Sequence, residues 1–196
     1  MTEIIVALDV DTMHKEDRLL DQLKGTVTFY KVGLQLFTAH GKRAIDAVRK
    51  RGGRVFLDLK LHDIPKTVEL AVREARKLGV ESLSLHLSGG AAMLKAAASV
   101  HPRPKLWGVT MLTSMTDADA KNFHAQARVP KIVARLAKLG WTCGVDATIC
   151  SAQEVPVLRK AYPNLDMKFV TPGIRPAGSE KGDQKRVMTP EDGARL

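Results

Sequence analysis

The 196-residue chain is short of several things that would mark a disulfide-rich, nucleic-acid-binding or membrane protein. Only two cysteines are present, Cys143 and Cys150. They have no metal-ligand spacing around them, so the pair reads as buried thiols in a reducing compartment, not as a disulfide framework or a metal site. Aromatic residues make up 5% of the chain, and no run of them interleaves with basic residues. Without a stacking platform, the net charge of +10 does not amount to a nucleic-acid surface. The Lys and Arg residues are spread through helical segments, as in Lys42-Arg43, Arg49-Lys50-Arg51 and Arg73 to Lys77. A positive field of that kind serves a small, highly anionic substrate equally well. No apolar run is long enough to span a bilayer, and Met1-Thr-Glu-Ile-Ile enters a strand pattern at once, which leaves no room for a signal peptide. A cytoplasmic location with no membrane or nucleic-acid partner is expected. The first βα turn lacks Gly-x-Gly-x-x-Gly, which counts against a dinucleotide-binding sheet.

What is present is ordinary for a globular domain: 44% hydrophobic and 27% charged residues. The periodicity alternates between strand-like and helix-like. Strands are expected at 4–10, 28–34, 54–60, 82–87, 106–112, 144–150 and 167–171. Helices are expected at 12–24, 37–51, 65–78, 90–100, 130–139, 152–161 and from Thr189 onward, with Thr12 or Asp11 capping the first and Pro156 kinking the sixth. A less regular stretch covers 115–128 and a polar loop covers 177–186. Strict alternation implies a parallel sheet with helical crossovers. Units of about 25 residues favour a TIM (β/α)8 barrel, here with seven strands, over an open doubly wound sheet, and residues 1–196 form one domain.

One edge of that sheet collects the chemistry. Asp9, Lys31, Asp58, Lys60, His86, Thr113, Ser151 and Pro172 all fall at or just past C-terminal strand ends, the face on which barrel active sites are built. The densest group is Asp58, Lys60 and Asp63. Regular alternation would project Asp58 and Lys60 side by side, and Asp63 could turn back towards them or reach a neighbouring subunit. Solvated charges alone would not be expected to select one edge so consistently. His86 and Ser151 read as supporting residues, His62 as a loop-positioning one, and His14, His40, His101 and His124 as solvated.

The stretch Asp58-Leu-Lys60-Leu-His-Asp63-Ile-Pro-Lys-Thr67 resembles the signature of the orotidine 5′-monophosphate decarboxylase family in its bacterial form. Ala7-Leu-Asp9, Tyr30-Lys31-Val-Gly33, Val109-Thr-Met-Leu-Thr113-Ser114, Thr171-Pro-Gly-Ile-Arg175-Pro176 and Asp183-Gln184-Lys-Arg186 fit the same family in the same order. A bare Asp-x-Lys-x-x-Asp pattern is shared with related sugar-phosphate barrels, so the His62-Asp63-Ile64-Pro65 continuation discriminates. The resemblance implies loss of CO2 from orotidine 5′-monophosphate to give UMP, with no metal and no organic cofactor. It implies Lys60 as the cation beside the developing carbanion and as proton donor, within a charge array completed by Lys31, Asp58 and Asp63. It also implies that Asp9 and Lys31 hold the ribose and that Thr113 contacts the pyrimidine. Gln184 would close over the phosphate with Arg175, while Asp63 and Thr67 would reach the partner's site in a homodimer. A full family member would continue into an eighth strand carrying a phosphate-binding Gly-Arg pair, so a barrel short of its last unit is expected. Two other readings stay open: a Mg²⁺-dependent sugar-phosphate decarboxylase or aldolase of the same superfamily, and an inactive fragment that binds nucleotide phosphates.

Overall fold

The computed structural model describes residues 2–122, 128–178 and 187–196. Seven parallel strands form one sheet in sequential order: β1 Val6–Ala7, β2 Phe29–Gly33, β3 Arg54–Leu61, β4 Ser82–His86, β5 Lys105–Val109, β6 Ala147–Ile149 and β7 Phe169–Val170. Between and after them run α1 Met13–Gln22, α2 Leu34–His40, α3 Lys42–Lys50, α4 Pro65–Lys77, α5 Gly90–Ala98, α6 Asp117–Lys121, α7 Val129–Thr142, α8 Val155–Ala161 and α9 Pro190–Ala194.

The sheet is curled. Phe29 of β2 and Trp107 of β5 meet with ring centroids 5.8 Å apart, and Phe56 of β3 lies 4.4 Å from the same indole. On a flat sheet β2 and β5 would stand about 14 Å apart, at roughly 4.8 Å per strand. The three rings, with Val109, Ala147 and Ile149, form a buried cluster on the concave face. The opposite strand faces supply Tyr30, Val32, Val55, Leu57, Leu83, Leu85 and Leu106 to a larger core shared with the helices. Alternation along each strand therefore decides which side chains enter the barrel and which meet the helical layer. Among the described residues β1 and β7 pair with one neighbour each.

Sequence expectation and structure differ in three local ways. The second helix is two, because Gly41 adopts φ 55 between α2 and α3 and no longer continues the ladder. Pro156 does not kink a helix: it sits in the first turn of α8, where a missing N–H costs nothing. The irregular stretch after β5 contains α6, held by Thr116 and Asp119 in a capping box. Thr12, not Asp11, caps α1. Ser151 is likewise a capping residue, its hydroxyl accepting from the Gln153 N–H, while the Glu154 carboxylate accepts from the Ser151 N–H.

One packing detail fixes β4 against its surroundings. Leu87, in the 3-10 turn Leu87–Gly89 that follows β4, is fully buried. It lies over two glycines, Gly108 of β5 and Gly140 of α7. A Cβ at either would fall 2.3 Å and 2.6 Å, respectively, from Leu87 Cδ2.

Candidate active site

The charged residues expected at the C-terminal edge do converge there. Lys31 Nζ is 2.7 Å from Asp9 Oδ1 and 4.0 Å from Asp58 Oδ2, and Lys60 Nζ is 2.7 Å from the same Asp58 oxygen. The order Asp9–Lys31–Asp58–Lys60 alternates in sign. Asp58 is buried, while Lys31 and Lys60 keep part of their side chains in solvent. At 4.0 Å and an effective dielectric near 20, the Lys31–Asp58 attraction is worth roughly 4 kcal/mol before desolvation. Such an array holds two ammonium groups and leaves each able to face a ligand.

The local backbone achieves this in a way that regular alternation does not describe. β3 and β4 pair Phe56 with Ser82 and Leu57 with Leu83, and pairing then resumes at Leu61 with Leu85. Asp58, Leu59 and Lys60 thus oppose the single residue Ser84 in a bulge, and Lys60 adopts φ 50, unusual for a residue with a side chain. The bulge turns both Asp58 and Lys60 towards one site, so the expected pairing holds for a different geometric reason. Ser84, not singled out in the sequence, is fully buried and donates to Asp58 Oδ1 at 2.8 Å. A signal for it existed: Ser82, Ser84 and His86 alternate with Leu83 and Leu85 on β4, a polar inner face where an interior strand needs none.

Gly33 is a second such residue. A Cβ there would lie 3.0 Å from Lys31 Nζ, so the missing side chain leaves the ammonium its space. His86 is half-buried beside the array, its ring 5.4 Å from that of His62. Burial first, then His62 and Lys60, hold it below the ordinary imidazole range, while Asp58 acts in the opposite sense.

The remaining expected residues are more scattered. Asp63 does not join the array within one chain: its exposed carboxylate accepts from the Ile64 N–H at 2.7 Å. Thr67, in the first turn of α4, is exposed. Thr113 is buried just past β5. Arg175 is exposed on the segment after β7, where its N–H donates to Met188 O at 2.9 Å and anchors the bridge between Ile174 and Met188. Gln184 and His124 lie outside the described residues. His40 is not simply solvated, since its Nε2 lies 3.1 Å from Asp11 O. A cavity of about 440 Å³ lies elsewhere, lined by Met115, Asp117, Val133 and Gln153, and it includes none of the array.

With this geometry in view, comparison with known proteins is decisive. Residues 2–195 match the family described as orotidine 5′-phosphate decarboxylase / HUMPS. The chain belongs to that family. The orotidine 5′-phosphate decarboxylase of Actinobacillus succinogenes is 46% identical over 99% of this chain and 85% of its own length. That of Moorella thermoacetica is 44% identical over 98% of this chain and 80% of its own. Among solved structures, the orotidine 5′-phosphate decarboxylase from Lactobacillus acidophilus superposes with a TM-score of 0.84 at 35% identity, covering all of this chain and 86% of that one. The seven-stranded curled sheet is thus a TIM-barrel arrangement of this decarboxylase family, with the array at the barrel's C-terminal edge.

Proposed function

We propose that the chain decarboxylates orotidine 5′-monophosphate to UMP and CO2, a step of pyrimidine biosynthesis. The observation that carries the reading is the array Asp9–Lys31–Asp58–Lys60, present in a member of the decarboxylase family. The C6–carboxylate bond breaks with its electron pair left on C6, where no adjacent π system delocalises it. Stabilisation must then come from a fixed positive charge. The Lys60 ammonium supplies that charge and transfers a proton to C6, regaining it from solvent. Asp58, buried and hydrogen-bonded on both oxygens, keeps the ammonium in place. In this reading no metal or organic cofactor takes part.

Asp9 and Lys31 hold the ribose hydroxyls, Thr113 meets the pyrimidine, and Arg175 and Gln184 take the phosphate. Binding at that remote phosphate helps to order the site and exclude water. Asp63 and Thr67 serve the site of a second copy in a homodimer. Their exposure fits that role, as does the neighbouring Ile64, which leaves 67% of its surface uncovered. The enzyme works in the cytoplasm; among the described residues no helix is long and apolar enough to cross a membrane.

The test is turnover of orotidine 5′-monophosphate by the purified chain, read as UMP by chromatography, beside Lys60→Ala and EDTA-treated samples. UMP formation that survives EDTA and disappears in Lys60→Ala supports the reading. Activity abolished by the chelator would transfer the site to the metal-dependent sugar-phosphate chemistry of related barrels.

A further inference from the structure

A serine hydroxyl carries one proton and two lone pairs, and Ser84 uses both functions on the bulge of β3. It donates to Asp58 Oδ1 at 2.8 Å and accepts from the Lys60 backbone N–H at 2.8 Å. Ser84 is fully buried, so water does not substitute for either bond. It is also the single β4 residue opposite Asp58, Leu59 and Lys60, where backbone pairing between the strands lapses. Its side chain therefore replaces ladder hydrogen bonds that the bulge gives up.

The consequence for the array is a division of labour on one carboxylate. With Oδ1 engaged by Ser84, the carboxylate is fixed about its own axis, and Oδ2 is the oxygen presented to Lys60 Nζ at 2.7 Å and Lys31 Nζ at 4.0 Å. The second bond acts on the other partner, tethering the N–H of a lysine whose φ of 50 is otherwise unfavourable. We propose that Ser84 is a positioning residue of the decarboxylase site, setting the Asp58 carboxylate and the Lys60 backbone in one geometry through a single hydroxyl. The inference rests on the decarboxylase reading above for its effect on turnover, but not for its effect on geometry.

The experiment compares Ser84→Ala, Ser84→Thr and Ser84→Asn with the native chain, each checked for cooperative unfolding, in two arms. The first arm is steady-state turnover of orotidine 5′-monophosphate. Ser84→Ala is expected to lower kcat by about 10- to 100-fold with KM changed less than about threefold, since misplacement of a reacting group by a fraction of an ångström acts on the transition state. Either Thr or Asn, both of which keep a donor and an acceptor, should recover most of that loss. A native kcat in a folded Ser84→Ala enzyme overturns the proposal, and so does a loss that neither Thr nor Asn repairs. The second arm is the crystal structure of Ser84→Ala. A lengthened Lys60 Nζ–Asp58 Oδ2 contact, or Lys60 leaving its positive φ, is the expected result; unchanged geometry at both residues overturns the positioning role. A native chain that folds but shows no turnover refutes the substrate reading, while the second arm still decides the role of Ser84.

Discussion

Replacing Glu16 with glutamine should make the protein more stable at neutral pH and leave it nearly unchanged in acid. Glu16 lies in the first turn of α1 with no exposed surface, and among the described residues neither carboxylate oxygen has a hydrogen-bond partner. Burial lifts its pKa from 4.5 to about 7; the neighbouring Asp17 adds to the effect and Arg51 opposes it. Arg51 is already engaged, 2.9 Å from both Asp17 and Asp21. Because the folded-state value exceeds the unfolded one, the folded chain binds more protons between the two. Stability is therefore intact below about 4.5, falls as pH rises through the interval, and levels off above about 7. The displacement from 4.5 to about 7 corresponds to about 3 kcal/mol, a tenfold change in proton affinity being worth roughly 1.4 kcal/mol. Glutamine keeps the shape and removes the charge. Urea unfolding of the native chain and Glu16→Gln, at several pH values from about 4 to about 8, isolates this one titration, because every other group is common to both proteins. The stability difference should grow by about 3 kcal/mol in favour of the variant across that range. A difference that stays flat with pH would refute the reasoning, since a neutral loss of packing does not titrate.

Four further outcomes follow from the site and the core. Asp58→Asn leaves Lys31 and Lys60 without their shared counter-charge and should lower turnover of orotidine 5′-monophosphate by at least about 100-fold, measured as kcat/KM. Gly33→Ala puts a methyl 3.0 Å from Lys31 Nζ and should lower kcat/KM by roughly tenfold while the chain still unfolds cooperatively. Lys60→Gly should be about 1 kcal/mol more stable to denaturant than Lys60→Ala, because glycine takes the positive φ without a Cβ penalty. Trp107→Ala removes the indole that joins Phe29 and Phe56 across the barrel interior and should cost about 3–5 kcal/mol in the same assay.

The strand order and the charged edge were legible because both rest on periodicity. Apolar runs ending in Asp9, Lys31, Asp58 and His86 place those residues on one rim whenever a chain alternates strand and helix. The bulge was not legible. Nothing in the letters Asp-Leu-Lys marks a lysine for positive φ, a conformation usually left to glycine, and only the slipped pairing with β4 imposes it. The break at Gly41 was missed because a single glycine inside a helical pattern is usually tolerated. Glu16 drew no notice in the sequence, because an acid in a first helical turn suits the helix dipole at a surface and only tertiary packing buries it. Asp63 stood out by its place just past the third strand and Thr67 by the family motif, and within a single chain both face outward.

The contact of Leu87 with Gly108 and Gly140 has an evolutionary consequence. The three positions share one volume, so their histories are linked even though they lie on a turn, a strand and a helix. A relative that carries alanine or serine at either glycine position should carry a smaller side chain where this chain has leucine, and the substitutions should appear together along lineages. Position 87 directly follows His86 at the end of the site strand. Drift in a remote helix such as α7 is therefore screened by what the catalytic rim tolerates, and residues far from any substrate inherit part of its selection.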